Sequence, residues 1–164
     1  MLGKTSLSAL RATVLLAQQP EGTCWPPRKL AETLDESPTY MAKVVRHLVK
    51  CGVLEAEKGA KGGVRLVQPP EQITLLTITE ACHGAIVGNF CKGNRPPSAQ
   101  CSFHRAALEL HQAITGVLVR WTVADLLERP QAKETSANEI PCLMGPGLNG
   151  GRSRSGLAQL KAKK

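Results

Sequence analysis

Apolar residues at Leu7, Leu10, Val14 and Ala17 recur at three- and four-residue steps and predict an amphipathic helix ending before Pro20. Residues 22–26 read as a loop. Pro27 fits a first helical turn, where its missing N–H is not needed, and Leu30, Ala31 and Leu34 supply the buried side of a short second helix. Asp35 and Glu36 read as a turn. Ser37 followed by Pro38 predicts a third helix, because the hydroxyl can cap free backbone N–H groups while the proline presets φ. At 100° per residue, Met41, Val44, Val45 and Leu48 fall on one side of it; Thr39, Tyr40, Lys43, Arg46, His47 and Lys50 fall on the other.

Gly52 closes that helix. Residues 53–57 and 64–67 have strand length and flank Lys58, Gly59, Ala60, Lys61, Gly62 and Gly63, which predicts a hairpin with a basic, glycine-rich tip. The tip lacks the glycine spacing of a phosphate-binding loop or a dinucleotide fingerprint. Helix, turn, helix and hairpin in this order predict a winged helix-turn-helix domain. After Pro69 and Pro70, residues 73–81 are apolar enough for a short helix. From 102 to 128, Phe103, Ala107, Leu110, Ile114, Val117 and Trp121 step by alternating fours and threes, the spacing of a coiled-coil seam. A long dimerisation helix is expected there, the alternative being a helix packed into its own domain. Gly116 costs roughly 1 kcal/mol within a helix but permits close approach of a partner helix.

The expected fold is mainly α with a small β-hairpin wing (α+β). Its parts are a winged helix-turn-helix domain over residues 1–83, a cysteine-containing loop over 84–101, a long dimerisation helix over 102–130 and a disordered basic tail over 131–164. A length of 164 residues suits one domain with a tail. Aromatic residues make up 3% of the chain, too few for the stacking platforms of single-strand binders, so duplex binding through phosphates is the nucleic-acid mode left open.

The net charge of +8 is local. Residues 140–164 hold five cations and no acid, and residues 39–65 hold six cations against Glu55 and Glu57. An anionic partner on one face is expected. Arg11 interrupts the first apolar run and no small-residue cleavage site follows it, while Glu80 and His83 break residues 73–91 well short of a membrane span. A cytoplasmic location without membrane contact is therefore expected, and the six cysteines should be thiols, metal ligands or redox groups. Cys91 and Cys101, with His104 one helical turn after Cys101, form the densest donor cluster. Isolated Cys24, Cys51, Cys82 and Cys142 read as packing or surface residues. The chain has no Cys-x-x-Cys pair, carboxylate dyad or Ser-His-Asp set, which argues against an enzyme.

Several segments together resemble the Rrf-two family of bacterial winged-helix regulators over roughly residues 5–128. They are Ala9-Leu10-Arg11-Ala12, Ser37-Pro38-Thr39-Tyr40-Met41, Lys43-Val44-Val45-Arg46 with Leu48, Gly59 with Gly62-Gly63 and Leu66, Pro69-Pro70-Glu71-Gln72-Ile73-Thr74-Leu75, and Thr122-Val123-Ala124-Asp125-Leu126. The resemblance implies a homodimeric transcription factor on double-stranded DNA carrying a partly palindromic operator. Relative to the family pattern, Lys58 replaces a wing arginine, Val64 stands where an aromatic is common, and the middle one of three cluster cysteines is missing. His104 matches a histidine ligand of one subgroup.

Cys91, Cys101 and His104, with Cys82, His83 or a partner-chain group, could hold a [2Fe-2S] cluster, which accepts His in place of Cys. The same donors suit zinc, and without any cofactor Cys91 and Cys101 could act as a thiol–disulfide switch. The residues expected at DNA are Arg28, Ser37, Thr39, Tyr40, Lys43, Arg46, Lys50, Lys58, Lys61, Gly62, Gly63 and Arg65. The rival functions are a protein-interaction module built on the same winged helix and, with less support, a thiol or metal enzyme.

Overall fold

The computed structural model describes residues 3–59, 62–86 and 101–128. Helix α1 (Lys4–Ala17) is followed by α2 (Pro27–Leu34) and α3 (Pro38–Lys50), and then by strands β1 (Leu54–Glu57) and β2 (Gly63–Leu66). A 3-10 turn (Pro70–Gln72) leads into α4 (Leu75–His83), and α5 (Ser102–Arg120) and α6 (Val123–Glu128) complete the described chain. This is a mainly helical winged-helix architecture with a small antiparallel hairpin.

Small side chains place α1 at the centre. The expected stripe covers only part of its buried surface: Ser6, Ser8, Ala9, Ala12 and Thr13 are buried beside Leu10, Val14, Leu15 and Leu16. Helices α2, α3, α4 and α6 and strand β2 all pack on it, which bulky residues at those positions would prevent. The Thr13 hydroxyl is satisfied within the helix by donating to the Ala9 carbonyl at 2.9 Å. Met41, Val44, Val45 and Leu48 of α3 close onto this core together with Leu30, Leu34, Leu54, Ile73, Ile78 and Val123.

β1 and β2 pair antiparallel, with Leu54 opposite Leu66, Glu55 opposite Arg65, Ala56 opposite Val64 and Glu57 opposite Gly63. The loop expected at 22–26 contains a further pairing partner. Trp25 donates to Val64 at 3.0 Å and accepts from it at 2.8 Å, forming an isolated bridge on the free edge of β2. One residue pair has no period-two pattern, so this pairing leaves no periodic signal in the sequence.

The single helix expected over 102–130 is two helices. α5 stops at Arg120, Trp121 is extended, and α6 starts at Val123. The break is built by hydrogen bonds: Leu75 N–H donates to the Trp121 carbonyl and Val123 N–H to the Ile73 carbonyl, each at 2.9 Å. Asp125 fixes the start of α6 by accepting from the Thr122 backbone N–H at 2.7 Å and from its hydroxyl at 2.8 Å. These two bonds hold the Asp125 carboxyl below the usual carboxylate range. Residues 131–164, expected as a tail, the last two positions of the helix expected over 102–130, and most of the 84–101 loop lie outside the described residues.

Candidate nucleic-acid interface

The start of α3 is fixed from both sides. Ser37 caps it, its hydroxyl accepting from the Tyr40 N–H at 3.2 Å, and Asp35 supplies the left-handed residue, φ 54°, that turns the chain out of α2. The turn is tethered to α1 because Glu36 accepts from the Ser8 hydroxyl at 2.9 Å and pairs with the Lys4 ammonium at 3.4 Å. Helix α3 is thereby oriented by α1 as well as by its own apolar side.

Thr39, Lys43, Arg46 and Lys50 are exposed along α3. Tyr40 differs from the expectation of an open polar face. It is half-buried, its hydroxyl donates to the Thr5 hydroxyl at 3.4 Å, and the Lys4 ammonium lies 5.0 Å from its ring centroid. Tyr40 thus anchors α3 on α1. Ser37 acts as a cap, and Arg28 pairs at 3.0 Å with Glu32 one turn further along α2.

An open cleft of about 430 Å³ separates α3 from the hairpin, lined by Ala42, Arg46 and Val49 on one side and by Ala56, Glu57, Gly62 and Gly63 on the other. Reading helix and wing therefore border one shared surface. Gly62 and Gly63 have a packing role at its edge. A Cβ on Gly63 would lie 2.5 Å from the Trp25 carbonyl carbon, and one on Gly62 would collide with the Glu57 carbonyl oxygen. These glycines permit the bridge to Trp25 and the tight return of the chain, which accounts for them without a phosphate. Lys58 is exposed at the tip, whereas Lys61 lies outside the described residues.

Arg65 also departs from the expected free cation. Its Nε lies 2.8 Å from Glu55 and 3.0 Å from Glu57, so two carboxylates of β1 hold one guanidinium of β2. Glu55 and Glu57 are not among the expected site residues. Their signal is the alternation Glu-x-Glu on one strand facing an arginine, legible only once the register is known. Cys24 sits beside the same group; its thiol is pushed up by desolvation and then by the hydrogen bond and charge of Glu57.

The expected donor cluster falls only partly among the described residues. Cys91 lies outside them. Cys101 is the exposed N-cap residue of α5, and His104 is 8% exposed with no hydrogen-bond partner at Nδ1 among the described residues. Among those residues no three His, Cys, Asp or Glu side chains converge. Cys101 and His104 have the donor chemistry of a cluster or zinc site, and His104 has an unsatisfied ring nitrogen, but they account for only two of four ligands. Cys82 and His83, considered as further ligands, lie on α4; the Cys82 thiol is directed to the Thr5 carbonyl at 3.8 Å and is pushed up chiefly by burial.

Among the described residues, the heptad positions of α5 are largely uncovered. Leu110 is 61% exposed, Phe103, Val117 and Trp121 are also exposed, and Ala107 and Ile114 are half-buried. The inward stripe is a different one, carrying His104 and Leu118 toward α4.

A helix-turn-helix followed by a two-stranded wing, with the polar, cationic side of α3 at the wing's edge, defines a winged-helix architecture. Residues 2–129 match the profile of the Rrf2 family, described as iron-dependent transcriptional regulators. The chain belongs to the Rrf2 family, which places it among transcriptional regulators rather than enzymes. Its fold is shared with CymR (YrzC), the global cysteine regulator of B. subtilis, at a TM-score of 0.63 and 21% identity over 78% of this chain and 96% of that one. IscR of T. potens superposes with a TM-score of 0.62 and 21% identity, covering 85% of this chain and 93% of the other. The oxidized form of Staphylococcus aureus CymR gives 0.62 and 23% identity, with coverages of 80% and 99%. No helix among the described residues is long and apolar enough to cross a membrane.

Proposed function

We propose that the chain is a homodimeric, sequence-specific regulator that places α3 of each protomer in a major groove of a partly palindromic operator and reports a redox, nitric oxide or iron–sulfur signal through the base of α5. Thr39, Lys43, Arg46 and Lys50 are its groove and phosphate contacts, with Lys58 and Lys61 at the wing tip reaching neighbouring backbone. The observation that carries this reading is the exposed row of Lys43, Arg46 and Lys50 along α3, of which Arg46 lines the cleft shared with the hairpin. Self-association through the uncovered α5 seam supplies the two-fold symmetry that a palindromic site requires.

Cys101 and His104, with Cys91, are the groups proposed to receive the signal. A bound [2Fe-2S] cluster would supply a redox- and nitric oxide-sensitive centre there. The chain's own contribution is to hold the two donors at the start of α5, Cys101 at the N-cap and His104 one turn on, so that engaging both would constrain the first turn of the helix that carries the proposed dimer seam. A thiol pair of Cys91 and Cys101 would act on the same turn without a cofactor.

The decisive experiment is fluorescence anisotropy with a labelled duplex of about 30 base pairs over a range of salt concentrations, comparing the wild type with Lys43→Ala/Arg46→Ala. For every phosphate that the variant no longer neutralises, the slope of log affinity against log salt should fall by about 0.9. Unchanged affinity and slope would overturn the DNA reading and favour a winged helix that binds protein.

A further inference from the structure

The cation at position 65 is paired through its Nε with carboxylates of the neighbouring strand. Arg65 Nε lies within 3.0 Å of two carboxylates, Glu55 directly opposite in the strand register and Glu57 diagonally across it. The three side chains are 37%, 46% and 48% exposed, so the group lies at the surface; Nε itself is covered but makes no hydrogen bond of good geometry to either carboxylate, so the pairing can open more readily than a buried salt bridge. Together they carry one net negative charge. Glu57 also lines the cleft between wing and reading helix, across from Arg46. An anionic group therefore sits at the border of the cationic surface formed by α3 and the wing tip.

We propose that Glu55 and Glu57 are a built-in anionic competitor for Arg65, which makes the wing repel duplex phosphates unless the guanidinium is released. This inference rests on the DNA-binding reading and adds to it a determinant of specificity. Non-specific affinity comes from neutralised phosphates, so a net negative group at the interface lowers it for every sequence alike. A cognate site offers α3 base contacts that can offset the cost of opening the clamp. The clamp thus widens the ratio between specific and non-specific binding, which decides occupancy among competing sites.

The test is the same anisotropy titration on duplex of random sequence at about 50 and 200 mM salt, with the full chain carrying Glu55→Gln/Glu57→Gln. The paired carboxylates become neutral amides of the same shape, and Arg65 becomes available to phosphate. Non-specific affinity should rise, with a salt slope steeper by about 0.9, so that the gain is about 3.5-fold larger at the lower salt than at the higher. Adding Arg65→Gln to this double variant should abolish the steepening. Circular dichroism melts verify that the hairpin is retained in each variant.

Equal or weaker binding by the folded double variant, with Lys43→Ala/Arg46→Ala still losing affinity, would overturn the clamp and leave the DNA reading standing. Binding that is indifferent to Lys43 and Arg46 would remove both. A steeper slope that persists after Arg65→Gln would also overturn the clamp, since the gain would then come from general charge and not from release of this guanidinium.

Discussion

Replacing Leu110 by serine should convert a dimer into a monomer without harming the fold. Burying a leucine side chain fully is worth about 1.5–3 kcal/mol. Leu110 keeps 61% of its surface uncovered in the isolated chain, so a partner helix has roughly 1–2 kcal/mol of that burial left to provide. Two-fold symmetry counts the interaction in both protomers, for a loss of about 2–4 kcal/mol, or roughly thirty- to several-hundred-fold in the dimer dissociation constant. Sedimentation velocity over a range of protein concentrations reads this directly. Leu118→Ser is the matched control: Leu118 is 6% exposed on the adjacent, inward stripe, and its loss should lower the melting temperature of the chain itself. A wild type that stays monomeric at high concentration, or a Leu110→Ser variant that dimerises as tightly as wild type, would refute the assignment of this seam.

The Thr122–Asp125 cap makes part of the stability acid-labile. Because the folded carboxyl titrates below its unfolded value of about 3.9, its contribution is fully present above that pH and is lost as pH falls through the folded value. Urea unfolding of wild type and Asp125→Asn should therefore differ at neutral pH and converge in acid; a constant difference would show that the cap does not carry the effect. Gly63→Ala should cost about 1–3 kcal/mol in urea unfolding, because the new methyl would press on the Trp25 backbone at 2.5 Å and part the hairpin from its third strand partner.

The reading helix is the most legible element because its signals are local and redundant. A serine cap, a proline at the first helical position, four apolar residues on one face and a closing glycine all agree, and Met41, Val44, Val45 and Leu48 are the residues buried. The hairpin is legible from the glycines of its tip. What escapes depends on partners distant in the chain. Trp25 pairs with Val64 across 39 positions, and no pattern near Trp25 announces it. Tyr40 falls on the polar side of the helical wheel, yet its ring reaches back to Lys4 and Thr5 of α1. At Trp121 the heptad steps run straight through a break in the helix, and there a local signal exists: Thr122 and Asp125 have the spacing of a reciprocal cap, which competes with continuation of α5.

Helix α5 has two independent audiences because its two stripes point in different directions. The seam of Leu110, Val117 and Trp121 is turned away from its own chain, whereas His104 and Leu118 face inward, and α5 packs on α4, which in turn packs on α3. A change in the bonding of His104 would therefore act first on the packing between α5 and α4, within one protomer, while in the proposed dimer a shift of the seam would act on the separation of the two protomers. In the proposed dimer both routes would end at the placement of α3, one through α4 and the other through the spacing between the two symmetry-related α3 helices. The extended residue at Trp121 pins the far end of α5 to the start of α4 through the Leu75 hydrogen bond. With that end held, a displacement at the Cys101 and His104 end would tilt α5 about Trp121 and, in the proposed dimer, alter the crossing of the paired helices more than the area they bury.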